Sequence, residues 1–212
     1  MHAKQRVRIA STVDHMRATG LLVGVVSDTH GVWDPALRGV FAGAHQLVHA
    51  GDVGNHGGHA AVLGALQRIA PVTAVRGNVD DDAAAMKDLP ITALLHLADW
   101  SVLLVHILES PEAAAAMEQH QPDVVITGHS HRWSEATVET AAGRRQLRLN
   151  PGSAGPARFK LGRSVALLAL PERGSGAWPT VRRIELASKA PPRLPEARGG
   201  AARGMRRKQV VG

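Results

Sequence analysis

The sequence predicts an α/β protein organised on a parallel sheet. Short apolar runs at residues 21–26, 46–49 and 71–75 alternate with stretches of helical period, a β-α-β-α-β series that favours parallel strands joined by right-handed crossovers. Each run stops at a polar turn carrying ligand-type residues: Asp28 and His30, then Asp52, then Asn78. In open α/β sheets ligands collect at these carboxyl ends, where the strand fixes position and the loop is free to carry chemistry.

Residues 1–20 hold no sustained period and read as a flexible extension with a short helix near Val13 to Arg17; Met16 offers a second candidate start. Leu21 to Val26 is continuously apolar, the mark of a strand covered on both faces. Asp34-Pro35 supplies an N-cap and a proline at the first helical position for a helix to about Ala42. The strand from Gln46 to His49 ends at Gly51-Asp52. A glycine-rich loop over 54–58 then leads to a helix from about His59 to Ile69, with Val62, Leu63, Leu66 and Ile69 on one side. Pro71 to Val75 is the third strand, ending at Arg76-Gly77-Asn78. Asp80, Asp81 and Asp82 read as the cap of a helix starting near Ala83, where carboxylates favour the helix dipole.

The second half changes style. Ile91 to Leu97 and Ser101 to Ile107 flank Ala98-Asp99-Trp100 as a hairpin, and the second run delivers His106. A helix over Pro111 to Gln119 precedes a strand from Asp123 to Thr127, which hands over to Gly128-His129-Ser130-His131. Thr137 to Thr140 and Gln146 to Leu149 form a second hairpin around Ala142-Gly143, Asn150-Pro151-Gly152-Ser153 is an architectural strand-end turn, and Ser164 to Leu170 pairs with Thr180 to Leu186. Antiparallel pairs after an α/β half imply two sheets. One domain is expected over 21–188, followed by a tail at 189–212 whose prolines, glycines and isolated basic residues leave too few apolar groups to offset ordering entropy.

Composition narrows the chemistry. With no cysteine among 212 residues, disulfides and thiolate zinc sites are excluded, so any metal is held by nitrogen and oxygen. The net charge of +7 is carried by the ends: +6 in residues 189–212 and +3 in the first 20, leaving −2 for the domain. The basic tail is a candidate nucleic-acid contact, with a solvated appendage the favoured reading. No apolar stretch reaches the roughly 18 residues that would span a bilayer, and no signal-peptide core is present, so a soluble cytoplasmic protein is expected.

Divalent ions that activate water on phosphate esters need hard or borderline ligands, and a pair of ions roughly 3.5–4 Å apart needs a carboxylate that bridges them. Asp52 is placed to be that bridge. Asp28, His30, Asp52 and His131 complete one site, and Asp52, Asn78, His106 and His129 the other. A hydroxide shared between two ions would be the nucleophile, since two cations lower its pKa and offset charge developing on the phosphate. Asp52 and Asn78 are accordingly the catalytic candidates.

These residues resemble the calcineurin-like metallophosphoesterases, whose pattern D-x-H, G-D, G-N, H, G-H-x-H runs in this order. The segments SDTHG (27–31), HAGDV (49–53), VRGNVD (75–80), GHSH (128–131) and NPGSAGPAR (150–158) are similar to the small bacterial and archaeal phosphodiesterase branch, over roughly residues 21–187. The resemblance implies a four-layer α/β/β/α sandwich and two divalent ions, manganese first and iron, nickel, cobalt or zinc as alternatives. A small phosphoester substrate and no membrane partner are expected, and a homo-oligomer is left open.

Two positions depart from that pattern. Larger members carry a proton-donating histidine after Gly-Asn, and the branch often carries cysteine; here the residue is Val79. Losing a general acid removes about 10²–10⁴-fold of rate on poor leaving groups, so activated diesters are the expected substrates. Where the branch commonly has His-Gly-His, this chain has His106-Ile107-Leu108, which alters substrate contacts more than metal binding. The alternatives are a phosphomonoesterase or protein phosphatase, disfavoured by Val79, and a non-catalytic scaffold resembling a retromer subunit of the same fold, disfavoured by seven intact ligands. His49 reads as part of the scaffold. His56 and His59 are loop residues that would replace the missing acid only by facing the cleft. Arg76 and Arg158 border motif loops as candidate phosphate contacts or charge-balancing partners.

Overall fold

The computed structural model describes residues 11, 13–54, 57–80, 87–158 and 161–192. Residues 13–19 are helical (α1), and Val13 and Met16 on this helix enter the core, so the packed part of the chain starts ahead of the expected strand. Strands β1 (Leu21–Val26), β2 (Gln46–His49) and β3 (Val72–Ala74) alternate with helices α2 (Leu37–Val40) and α3 (His59–Gln67). There follow β4 (Thr92–Leu97), β5 (Trp100–Val105), α4 (Pro111–His120), β6 (Val124–Ile126), β7 (Trp133–Glu139) and β8 (Arg145–Pro151). The chain closes with β9 (Ser164–Leu170) and β10 (Thr180–Glu185).

Two five-stranded sheets result, in the orders β10-β9-β1-β2-β3 and β4-β5-β6-β8-β7. β1, β2 and β3 are parallel, in the register Val26 to His49 to Ala74, so their polar ends emerge side by side. The two late strands do not form a third unit. β9 lies antiparallel beside β1, making β1 central, which is why Leu22 to Val26 are buried on both faces.

Strand alternation divides the apolar side chains among three cores. Leu22 and Val26 face helices α1–α3, together with Leu167 and Val165 of β9. Val23 and Val25 face the second sheet, meeting Val102, Leu104, Val124, Ile126 and Leu149. On the far side of that sheet Leu103, Val105 and Val125 pack on Ala113 and Ala116 of α4. Three cores separate four layers, helix, sheet, sheet and helix, the sandwich expected from the family resemblance.

Several local expectations need correction. The helix expected to run to Ala42 is a single turn, Leu37–Val40, and Asp34 ahead of it accepts from the Ala36 N–H at 3.0 Å through Oδ1 and from Arg163 at 3.0 Å through Oδ2. Arg163 is fully buried and also donates to the carbonyls of Gly155, Ala154 and Ala187, which ties the start of the tail to the domain. Residues 193–212 of the tail expected at 189–212, residues 1–10 of the extension expected at 1–20, and His56 lie outside the described residues. In the β4–β5 hairpin Ala98 and Asp99 both have positive φ (48° and 64°), the two-residue turn whose twist matches antiparallel strands. Among the described residues no helix is long and apolar enough to cross a membrane.

Candidate metal centre

The loops that leave β1 and β2 are zipped together. Asp28 N–H donates to the Gly51 carbonyl, His30 N–H to that of Asp52 and Gly31 N–H to that of Val53, at 3.0, 3.0 and 2.8 Å. To make these bonds within so few residues the backbone turns left-handed at Asp28, His30 and Asp52, and again at His129 and His131 (φ 48–68°). Non-glycine residues in that region are uncommon and are held there by surrounding structure, a form of strain that gathers at functional sites. Gly51 has φ +90°, and a Cβ there would stand 2.6 Å from the His106 ring; a Cβ on Gly77 would strike the Asp52 backbone and carboxylate. Glycine at both places lets the ligand loops meet.

The seven expected ligands converge. One ligand atom each from Asp28, His30, Asp52 and His131 lies within 4.8 Å of the others, and all four residues are buried. The second set is linked by hydrogen bonds: Asn78 Oδ1 is 3.1 Å from His106 Nε2 and 2.9 Å from His129 Nδ1. Asp52 joins the two sets, with Oδ2 3.9 Å from His30 Nε2 and Oδ1 3.3 Å from His106 Nε2.

These residues fit a divalent cation. Asp28 Oδ1, His30 Nδ1 and His131 Nδ1 are buried and make no hydrogen bond, although Asp28 Oδ1 lies 3.2 Å from His131 Nε2. The Nε2 atoms of His30 and His131 face each other at 3.2 Å. Buried polar atoms are almost always satisfied, and two carboxylates beside facing imidazoles are the donor set of a mixed nitrogen and oxygen metal site. The Ala50 carbonyl accepts from His106 Nδ1 at 2.7 Å, which fixes the tautomer and directs Nε2 at Asp52.

Electrostatics agree with this arrangement. Burial pushes His30 down to about 4, while Asp52 and Asp28 pull it upward and the charges of Arg158 and His131 lower it, so the ring is neutral and able to ligate near pH 7. Burial would also lower His106, but its hydrogen bond and charge interaction with Asp52 prevail and raise it; Asp52 is lowered in turn, against burial, chiefly by His106. The pair favours the charged form of each partner, and a cation bound between them would compete with the proton on His106. Metal uptake is therefore expected to weaken as pH falls.

Around the ligands stands a shell that sequence reasoning placed only in part. Asp80, read from sequence as a helix cap, is fully buried and accepts from Val53 N–H (3.1 Å), Gly54 N–H (3.0 Å) and Gly77 N–H (2.9 Å). It staples the Asp52 loop to the Asn78 loop; Asp81, Asp82 and Ala83 lie outside the described residues. The signal for this role was its place two residues after Asn78. Asn150 Nδ2 donates to the Gly128 carbonyl at 2.6 Å and Ser153 Oγ to that of Asp28 at 2.9 Å, so the turn read as architectural supports two ligand loops. His59 does not face the cleft: it is buried with Nε2 3.6 Å from Asp80 Oδ1.

His49 belongs to the scaffold, its Nε2–H donating at 2.9 Å to Thr29 Oγ1, which itself donates to the Val53 carbonyl. Burial, the largest influence on it, holds its pKa at about 4 instead of 6.5. Between those values the unfolded chain binds more protons than the folded one, so stability is complete above pH 6.5 and is lost as pH falls toward 4. The loss is roughly 3 kcal/mol for this residue. Thermal unfolding of chelated protein is expected to show a falling Tm across that window, and a shallower fall in His49→Gln; equal slopes would show that other groups dominate.

A four-layer sandwich with Asp and His ligands gathered where the strands of both sheets end defines a metal-binding α/β protein of the metallophosphoesterase type. Residues 21–173 match the calcineurin-like phosphoesterase superfamily domain, and the chain belongs to that family. No curated protein matches it significantly. Among solved structures it is similar to an archaeal phosphodiesterase at 20% identity, with TM-score 0.58 and 78% of this chain covering 99% of that one. It is also similar to wild-type Vps29 complexed with Zn²⁺ from Entamoeba histolytica, at 23% identity, TM-score 0.56 and coverage of 77% and 98%. A third is a phosphoesterase-like protein of Streptococcus pneumoniae, at 17% identity, TM-score 0.52 and coverage of 78% and 98%. At these identities the likeness establishes the fold.

Proposed function

We propose that the protein is a dinuclear metal-dependent phosphodiesterase. Asp52 carries this reading, because its two carboxylate oxygens are directed to different ligand sets. Asp28, His30 and His131 would hold one ion and Asn78, His106 and His129 the other, with Asp52 common to both. Bound ions, manganese by preference, supply the positive charge that lowers the pKa of water and offsets charge on the phosphate.

The chain's own groups do the rest. The left-handed turns and the Asp80 staple fix the ligands in advance, which spares reorganisation when charge develops. Arg158 is exposed and close enough for its charge to be felt by His30, which supports a role in meeting a phosphate oxygen. Position 79 offers only its backbone N–H, spent on Asp52 Oδ1 at 3.1 Å, and Val79 has no proton for a departing oxygen. Activated leaving groups and diesters are thereby favoured. The similarity to a phosphodiesterase and to a Zn²⁺ complex of the same fold supports the reading.

The test is to strip the protein with chelator, restore Mn²⁺, and compare an activated aryl diester with the matching monoester. Turnover that returns with the metal and is greater on the diester is the expected result. Activity indifferent to chelator, or absent with every divalent ion tried, overturns the proposal.

A further inference from the structure

Beside the second ligand set lies a cavity of about 170 Å³ to which Asn78 and His106 contribute directly. Its remaining walls differ in character from the metal centre: Ile91, Val105 and Ile107 are apolar, and Arg76 and Glu112 contribute one charge of each sign. Ile91 is 41% exposed and is the one exposed large hydrophobic residue among those described. A lone exposed isoleucine is ordinary. An exposed isoleucine that walls a concave space with Ile107, in continuity with two ligands, has the form of a binding subsite: apolar lining with a few convergent polar groups.

We propose that this cavity receives the leaving alcohol of the phosphoester and selects compact, uncharged, apolar groups of aryl size. The inference rests on the two-metal reading above and adds what the substrate carries. In the hydrolysis, water gives up one proton to solvent as its oxygen bonds to phosphorus, the phosphorus–oxygen bond to the alcohol breaks with its electron pair leaving on the alcohol oxygen, and that oxygen takes a proton from solvent. The departing group is seated next to Asn78 and His106. The volume suits an aryl ring, since a dry cavity of roughly 150 Å³ accommodates benzene. The charges of Arg76 and Glu112 are opposite, so these two side chains together do not favour an ionic group of one sign. Ile107 supplies surface that complements a ring and would clash with or desolvate a charged one.

Binding tests this without turnover. Phenylphosphonate and methylphosphonate are titrated by calorimetry into metal-loaded protein, and the isoleucine methyl signals are followed by NMR. Phenylphosphonate is expected to bind roughly tenfold more tightly than methylphosphonate and to move the signals of Ile91 and Ile107. Ile107→Asp and Ile91→Ser are each expected to reduce that ratio by a selective loss on phenylphosphonate; Ile91→Ser, at an exposed position, keeps the test open if Ile107→Asp folds poorly. A ratio near one in the wild type, or a ratio unchanged in both variants, overturns the cavity assignment and leaves the metal reading standing. Binding of neither phosphonate at any metal loading overturns both.

Discussion

Asp52→Ala is expected to lower kcat/KM on an activated diester by about 10³-fold or more, and to reduce the metal content of purified protein. The two oxygens of Asp52 face His30 and His106, so on the dinuclear reading its loss would remove a ligand from each set and leave those two rings without the carboxylate between them. Its backbone is not at risk in the same way, because the loop bonds from His30 N–H and Asp28 N–H use main-chain carbonyls that alanine retains. Alanine does have to occupy φ 53°, a strained conformation, so the fold is checked by thermal unfolding alongside the kinetics. Metal analysis and initial rates give the answer together. A variant that keeps wild-type turnover would dismiss the bridging role. A variant that loses metal while a protein partner still binds would instead favour the alternative of a non-catalytic scaffold.

Asp80→Ala is expected to destabilise the fold by roughly 3–5 kcal/mol, the cost of leaving several buried donors without a charged acceptor. For a domain of this size that corresponds to a fall in Tm on the order of 10 °C. Three backbone N–H groups, from Val53, Gly54 and Gly77, lose their acceptor at once, and His59 loses its neighbouring charge. The same carboxylate holds the Asp52 and Asn78 loops in register, so metal affinity should fall about 10–100-fold, as for other groups that orient ligands from behind. Isothermal titration of the metal, read beside the Tm, separates the two effects. If Tm falls and affinity does not, Asp80 is a structural staple alone; if neither changes, the hydrogen-bond account of this residue is wrong.

Much of the architecture was legible because burial on both faces leaves a local trace. The continuous apolar run at 21–26 marked a strand covered on both faces, and it is β1; the strands read at 46–49 and 164–170 are β2 and β9 with those bounds. The helix read over Pro111 to Gln119 is α4, which starts with proline at its first position after Ser110, whose Oγ accepts from the Ala113 N–H. Less legible was the helix after Pro35, where Asp34 is drawn to an arginine far along the chain. The edge strand β7 was placed four residues late at its start, since a strand exposed on most of its length carries no apolar pattern to mark it.

The sequence by itself determined the ligand chemistry: without cysteine only nitrogen and oxygen donors were available, and the apolar run before each motif put them at strand ends. That much is local, set by side-chain type and by periods of a few residues. Tertiary structure decided which donors meet. It paired β9 with β1 across more than a hundred residues, divided the two oxygens of Asp52 between separate ligand sets, turned Asp80 from an apparent helix cap into the link between two loops, and left Ile91 and Ile107 walling a cavity beside the centre. Such choices depend on hydrogen bonds and packing between segments remote in sequence, whose energies appear only once the chain has brought them together.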